Sequence, residues 1–304
     1  MSIRVGLIGA GYWGRNIARA SIDSKILHLD RVYDIDYGRA LELARMYGVK
    51  AYRDLERFIE EGDLDAILIA VPADQLYPVA LKVIERKKNL FIEKPVGVNL
   101  REVRDLRIKC ENHGLVAVPG FISRFDPVVR YFRELIKERG SPTYISIQRS
   151  GRRAERYIRT HILLDLGVHD IDILFFLLEK DIDVINAEIT KINNDLAYTA
   201  YMKYEGGFAV LHSDPLPLMK IRKLIINFDD RSFYEGDLVT SEVREVFREG
   251  ISKYNKIIAE EEPLIAELKA FAERVLGRDS EAPTLRDAER VHEIVERILR
   301  IGSK

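Results

Sequence analysis

An apolar run, Val5-Gly6-Leu7-Ile8, breaks into Gly9-Ala10-Gly11-Tyr12-Trp13-Gly14 and so presents a G-x-G-x-x-G pattern a few residues from the start of the chain. When a strand precedes such a run and a helix follows it, the first glycine permits a tight turn and the second lets a pyrophosphate approach the backbone. The third lets helix and strand pack closely, and the helix N-terminus attracts the phosphates. Asp34 lies twenty residues beyond Gly14, at the end of the next strand-like stretch. A carboxylate there accepts hydrogen bonds from both adenosine ribose hydroxyls and repels a 2′-phosphate, which favours NAD over NADP. Arg39 weakens that discrimination, because a cation nearby can neutralise the same phosphate.

The first part of the chain continues as alternating short apolar and longer amphipathic segments, the pattern of βαβ units. Strands are expected at Arg4–Gly9, Arg31–Asp34, Ala66–Val71, Asn89–Ile92 and Leu115–Val118, with helices near Trp13–Ser21, Tyr37–Met46, Leu55–Glu61, Gln75–Arg86 and Leu100–Asn112. Asp54 and Asn99 are placed to cap two of these helices, and His113-Gly114 to close the second. After Gly120 several strand-like stretches surround one apolar helix, Leu163–Leu178, and two amphipathic helices end the chain. The expected fold is an α/β Rossmann domain with a doubly wound parallel sheet (1–119) and an α+β domain with an open, mostly antiparallel sheet (120–262). The last two helices (263–304) are expected to pack back on the body.

Composition removes other classes. The 304 residues are 47% hydrophobic and carry 48 Lys+Arg against 49 Asp+Glu, which argues against disorder and against a nucleic-acid partner. The single cysteine, Cys110, cannot form an intrachain disulfide, and no Cys/His spacing suggests a metal. The longest apolar run, Ala66 to Ala73, is far below the ~20 residues that cross a bilayer. A cytoplasmic protein with no membrane partner is expected.

A second signal is Glu93-Lys94-Pro95, which puts a lysine at the carboxyl end of a parallel strand, where open α/β sheets bind ligands. The glycine pattern is followed in order by Val71-Pro72, Glu93-Lys94-Pro95, Gly120-Phe121, Arg124-Phe125-Asp126-Pro127 and the run Asp165-Leu166-Gly167-Val168-His169-Asp170-Ile171-Asp172. The series resembles the glucose–fructose oxidoreductase, inositol dehydrogenase and rhizopine-catabolism (Gfo/Idh/MocA) family over essentially the whole chain. The resemblance implies an NAD-dependent dehydrogenase acting on a ring hydroxyl of a sugar, sugar nucleotide or cyclitol. It makes Lys94, Asp165 and His169 the catalytic candidates, and Gly9, Gly11, Tyr12, Trp13, Gly14, Asp34, Pro72 and Glu93 the cofactor-binding ones. The spacing has its own logic: residues four apart on a helix share a face, and an imidazole titrates in the range a base for a hydroxyl proton needs. Asp170 and Asp172 read as structural.

Arg149, Arg152, Arg153, Arg156 and Arg159 crowd between the domains, either as a solvated loop or as a diphosphate site. Arg124, the Gly151-Arg152-Arg153 run and the Asp-x-x-x-His segment are most similar to the branch that oxidises UDP-N-acetylglucosamine-type sugars at carbon 3, so Arg124, Arg152 and Arg153 are substrate candidates. His161 and Leu76 depart from the family pattern, which commonly has a small residue and a histidine there. The resemblance further implies a homodimer or homotetramer through the second-domain sheet. The alternatives are an inositol or other polyol dehydrogenase, and a non-catalytic NAD-binding sensor of the same fold.

Overall fold

The first unit alternates strand and helix from β1 (Ile3–Ile8) through α1 (Tyr12–Asp23), β2 (Leu27–Tyr33), α2 (Tyr37–Tyr47), β3 (Lys50–Tyr52), α3 (Leu55–Glu60), β4 (Ala66–Ile69), α4 (Ala73–Glu85), β5 (Asn89–Ile92) and α5 (Leu100–His113) to β6 (Ala117–Pro119). These bounds come from a computed structural model that describes residues 2–246, 250 and 252–302. Strand order is β3-β2-β1-β4-β5-β6, and every pairing is parallel. The order reverses between β1 and β4, and in open α/β sheets such a switch point opens a ligand crevice beyond the carboxyl ends of the two strands. The glycine turn follows β1 there, and Val71-Pro72 follows β4.

Local chemistry sets the helix ends. Asp54 accepts from the Arg57 amide at 2.7 Å and Asn99 from the Glu102 amide at 3.0 Å, while Gly114 closes α5 in the left-handed conformation. The three-residue β3 was not expected from the sequence, since Lys-Ala-Tyr is too short to show alternation.

The second unit holds α6 (Pro127–Arg139), β7 (Tyr144–Ser150), the short α7 (Glu155–Ile158), a π-helical turn at Leu163–Gly167 running into α8 (Val168–Leu178), and strands β8 (Ile182–Ile192), β9 (Asp195–Tyr204), β10 (Gly207–Ser213), β11 (Ile221–Asn227), β12 (Phe233–Asp237), β13 (Glu242–Val246) and β14 (Ser252–Lys256). Its sheet runs β14-β13-β12-β11-β7-β10-β9-β8, antiparallel except for β10 with β7. Helix α6 lies so close to β12 that a Cβ at Gly236 would stand 2.4 Å from Val128 Cγ1. Every residue of α8 is buried, so its carboxylates must find partners inside the unit.

Helix α9 (Pro263–Val275) completes the first unit's core through Leu264, Leu268, Phe271 and Ala272. Helix α10 (Leu285–Gly302) begins with a reciprocal cap between Thr284 and Asp287. By contacts, residues up to Ile122 with Glu261–Glu289 form one unit, and Ser123–Glu260 with Arg290 onward form the other.

Candidate functional site

In the first unit the glycines carry distinct duties. Gly9 has φ +102°, and a Cβ on it would lie 2.3 Å from the Ala70 carbonyl oxygen. On Gly14 a Cβ would lie 1.9 Å from the Gly9 oxygen. Both are required for the turn to pack at all. Gly11 differs: its φ is −71° and a Cβ would meet nothing within 4 Å. The fold does not need a glycine at 11, whereas an anion seated against the backbone there does. Gly11 is also the N-cap of α1 and brings no capping side chain, and the first turn holds no acidic residue, which leaves the helix end suited to phosphate. This turn fits a dinucleotide.

Asp34 is buried at the end of β2. Its Oδ2 accepts from the Ala10 amide at 2.7 Å and its Oδ1 from the Asp36 amide at 2.9 Å. The carboxylate therefore fixes the glycine turn directly, and each oxygen keeps a lone pair for a ribose hydroxyl. Tyr12 stands exposed at the helix start, and Pro72 is the N-cap of α4. Leu76 is fully buried in α4, so this departure from the family pattern is core packing.

Glu93 and Lys94 follow β5, with the Lys94–Pro95 peptide cis. The Glu93 carboxylate is buried and accepts from the Trp13 indole through Oε1 and from the Lys94 amide at 3.1 Å through Oε2. Burial pushes it up to about 7, against the lowering effect of the indole and of the Lys94 charge.

In the second unit Asp165 and His169 are both nearly buried. Asp165 lies in the π turn rather than in a regular helix, which corrects the expectation of an uninterrupted helix over Leu163–Leu178. The wide turn carries Asp165 within reach of Arg153, whose Nε donates to Asp165 Oδ2 at 2.9 Å; Arg153 Nη1 donates to Asp195 Oδ1 at 2.6 Å, and Nη2 to the Thr160 oxygen at 2.6 Å. Further along the helix, Asp170 Oδ1 accepts from Arg149 Nε at 2.6 Å. Asp172 is gripped bidentately by Arg124, with Nη2 at 2.6 Å and Nε at 2.9 Å. Burial raises Asp170, and the Arg149 guanidinium opposes that rise. Burial pulls Arg222 down to about 10, and the neighbouring Arg149 cation adds to the effect.

Of the substrate candidates Arg124, Arg152 and Arg153, Arg124 and Arg153 are buried and engaged by carboxylates of the same unit. Arg149 is likewise structural. Arg152 and Arg159 are exposed, and the Arg156 side chain lies outside the described residues. His161 Nδ1 accepts from the Leu163 amide at 3.2 Å, and its carbonyl accepts from the Leu164 and Asp165 amides. It shapes the π turn, and burial lowers its pKa, with the Arg153 charge acting in the same direction. Asp195 and Arg222 were not expected from the sequence, since neither lies in a motif. Among the described residues no group of His, Cys, Asp and Glu could hold a metal, and no helix is long and apolar enough to cross a membrane.

Residues 3–121 match the GFO_IDH_MocA model, an oxidoreductase family with an NAD-binding Rossmann fold. The chain is 25% identical over 236 residues to scyllo-inositol 2-dehydrogenase (NAD(+)) of Bacillus subtilis, covering 68% of this chain and 65% of that protein. It is 27% identical over 233 residues to UDP-N-acetylglucosamine 3-dehydrogenase of Acidithiobacillus ferrooxidans, covering 75% and 72%. A solved structure of the latter enzyme superposes with TM-score 0.89 at 23% identity over 99% of this chain and 98% of that one, a likeness of fold.

Proposed function

We propose that this chain is an oxidoreductase of the Gfo/Idh/MocA kind, whose model its residues 3–121 match: an NAD(H)-dependent dehydrogenase that oxidises a ring CH–OH of a sugar or sugar nucleotide to a ketone, or runs the reverse. The observation that carries the reading is Gly11, a glycine that the turn does not need and a bound pyrophosphate does. Gly9, Gly11, Gly14 and the start of α1 would hold the phosphates, Asp34 the adenosine ribose, and Pro72 would line the crevice. Tyr12 and Trp13 would border the same turn. NAD bound there supplies the hydride acceptor.

The chain's own residues do the rest. His169 takes the proton of the reacting hydroxyl as the C–H bond breaks, and Lys94 hydrogen-bonds the same oxygen and favours its developing carbonyl character. Asp165, held by Arg153, orients the sugar. Among substrates, the UDP-N-acetylhexosamine class is supported by the 27% identity to a UDP-N-acetylglucosamine 3-dehydrogenase, and inositols by the B. subtilis relative. The reading includes a cytoplasmic location and a homodimer or homotetramer formed through the eight-stranded sheet, supported by Tyr201 and Phe208 exposed on the neighbouring strands β9 and β10.

Thermal shifts with NAD and NADP, followed by a turnover panel of UDP-sugars, free sugars and inositols, test it. NAD at 100 times its Kd should add about 2.7 kcal/mol of stability. The absence of a shift with either dinucleotide would end the reading. NAD binding without turnover of any of these substrates would favour the sensor.

A further inference from the structure

The side chain of Glu93 sits where three segments of the first unit meet. Trp13 comes from the first turn of α1, just after the glycine turn, Lys94 from the loop after β5, and Gly120 follows β6. The Trp13 indole donates to Oε1 and the Lys94 amide to Oε2. Gly120 closes the remaining side: a Cβ there would stand 3.0 Å from Oε2 and 3.1 Å from Cδ. The carboxylate thus joins the turn that fits the pyrophosphate to the backbone of the lysine assigned to chemistry.

We propose that Glu93 is a positioning residue: its carboxylate locks the dinucleotide turn, through Trp13, to the backbone of Lys94, so that cofactor occupancy and the setting of the Lys94 side chain are coupled. This rests on the dehydrogenase reading for the role of Lys94, but not for the coupling itself.

The chemistry of the contact supports a two-state lock. Two donors aimed at two carboxyl oxygens suit the anion, because a neutral acid must turn one oxygen into a donor and lose one of the two bonds. Burial favours the acid, and the Lys94 ammonium, the charged neighbour acting on Glu93, favours the anion. The balance falls near neutral pH, so both states are populated under ordinary conditions.

Trp13 is the only tryptophan in the chain, and its ring nitrogen is one of the bonded atoms, so its emission reads the lock directly in the full-length protein. Four quantities are to be measured: emission against pH without and with saturating NAD, NAD affinity by calorimetry, and kcat and KM with the substrate found by the panel. The wild type should show an emission step near neutral pH whose midpoint falls when NAD holds the turn in its bonded form. Glu93→Gln should lose the step, since its amide cannot accept from both donors. It should keep the NAD Kd within about threefold and lower kcat about tenfold or more. Adding Trp13→Phe to Glu93→Gln should lower kcat no further, because both remove the same link.

An emission that ignores pH, a midpoint that NAD leaves unmoved or raises, or additive losses in kcat would overturn the coupling. A rise of about 100-fold in NAD Kd for Glu93→Gln would make Glu93 a direct nucleotide ligand instead. Should Glu93→Gln fail to fold, the wild-type emission curves and the kcat of Trp13→Phe, expected to fall with NAD affinity kept, decide the matter. If no substrate is turned over, the dehydrogenase reading fails by itself, and the NAD-dependent movement of the emission midpoint still decides the coupling.

Discussion

Arg153 is shared between two buried acids, donating to Asp165 at 2.9 Å and to Asp195 at 2.6 Å. A guanidinium placed this way cannot turn to a substrate phosphate without breaking its bonds to both carboxylates. Asp165 owes its orientation to this cation, and the π turn is what brings it within reach.

Removing the cation should therefore act on stability before it acts on substrate affinity. Arg153→Met takes the guanidinium away from two buried carboxylates, and breaking a buried pair from one side costs about 3–5 kcal/mol. A large fall in Tm is expected by calorimetry. Arg152→Ala, at an exposed position, should change stability by less than about 0.5 kcal/mol and raise KM for a UDP-sugar while hardly changing it for an inositol. Wild-type stability in Arg153→Met would mean that the pairing with Asp165 and Asp195 contributes little.

The glycine turn offers a cleaner separation. Gly14→Ala drives a Cβ into the Gly9 carbonyl and should destabilise the first unit by several kcal/mol, on the order of an overpacked core site or more. Gly11→Ala meets open space and should melt at or slightly above the wild-type temperature, because alanine narrows the unfolded ensemble. It should nonetheless lose NAD affinity, as its methyl group occupies the place of the pyrophosphate. Calorimetry on both variants, with and without NAD, gives the comparison. Undiminished NAD binding by Gly11→Ala would remove the phosphates from this turn.

Glu93 gives the pH dependence of stability a sign. Its folded value is about 7 against 4.5 ordinarily, so as pH rises the unfolded chain releases this proton first. The contribution to stability is full below about 4.5 and is lost progressively up to about 7, some ~3 kcal/mol altogether. Glu93→Gln removes the ionisation. The difference in unfolding free energy between variant and wild type should therefore move in the variant's favour by that amount between pH 4 and pH 8, as urea melts at the two pH values would show.

Much of the first unit was legible because its signals are local. An apolar run before three spaced glycines, caps at Asp54 and Asn99, and Gly114 after a helix each encode one backbone decision. The second unit was legible only as a class. Strands β12 to β14 are short and mix charged with apolar residues toward one end of the sheet, so their pattern resembles loop. The π turn left no mark, since Asp165 and His169 keep the four-residue spacing of an ordinary helix. The arginines were hardest: a cation in a sequence reads as solvated or ligand-binding, and whether it is buried depends on carboxylates up to 48 positions away, as with Arg124 and Asp172.

Asp34 is a case in which the structure enlarges the sequence reading. Asp34→Ala removes a ribose acceptor and a charge that opposes a 2′-phosphate, so use of NADP relative to NAD should improve. It also removes the acceptor for the Ala10 amide, which loosens the turn for both dinucleotides. Affinity for NAD should fall by more than affinity for NADP rises, and stability should drop by about 1–3 kcal/mol for the unsatisfied amide. An unchanged cofactor preference, measured from kcat/KM with each dinucleotide, would place the adenosine ribose elsewhere.

The chemistry itself is tested by separating binding from turnover. His169 and Lys94 belong to different units, and neither is among the groups assigned to the phosphates or the ribose. If His169 takes the hydroxyl proton and Lys94 favours the developing carbonyl, His169→Ala and Lys94→Ala should each keep NAD affinity within a few-fold. Each should lower kcat by about 10²–10⁴, the range for a positioned proton-transfer group. Asp165→Asn should cost less, because it keeps the shape that orients the sugar and loses only the charge facing Arg153. Two groups serving one step are not independent, so the double variant His169→Ala/Lys94→Ala should fall well short of the product of the single losses. Independent, multiplicative losses would place the two residues in different steps, and full turnover in His169→Ala with the true substrate would remove it from the reaction.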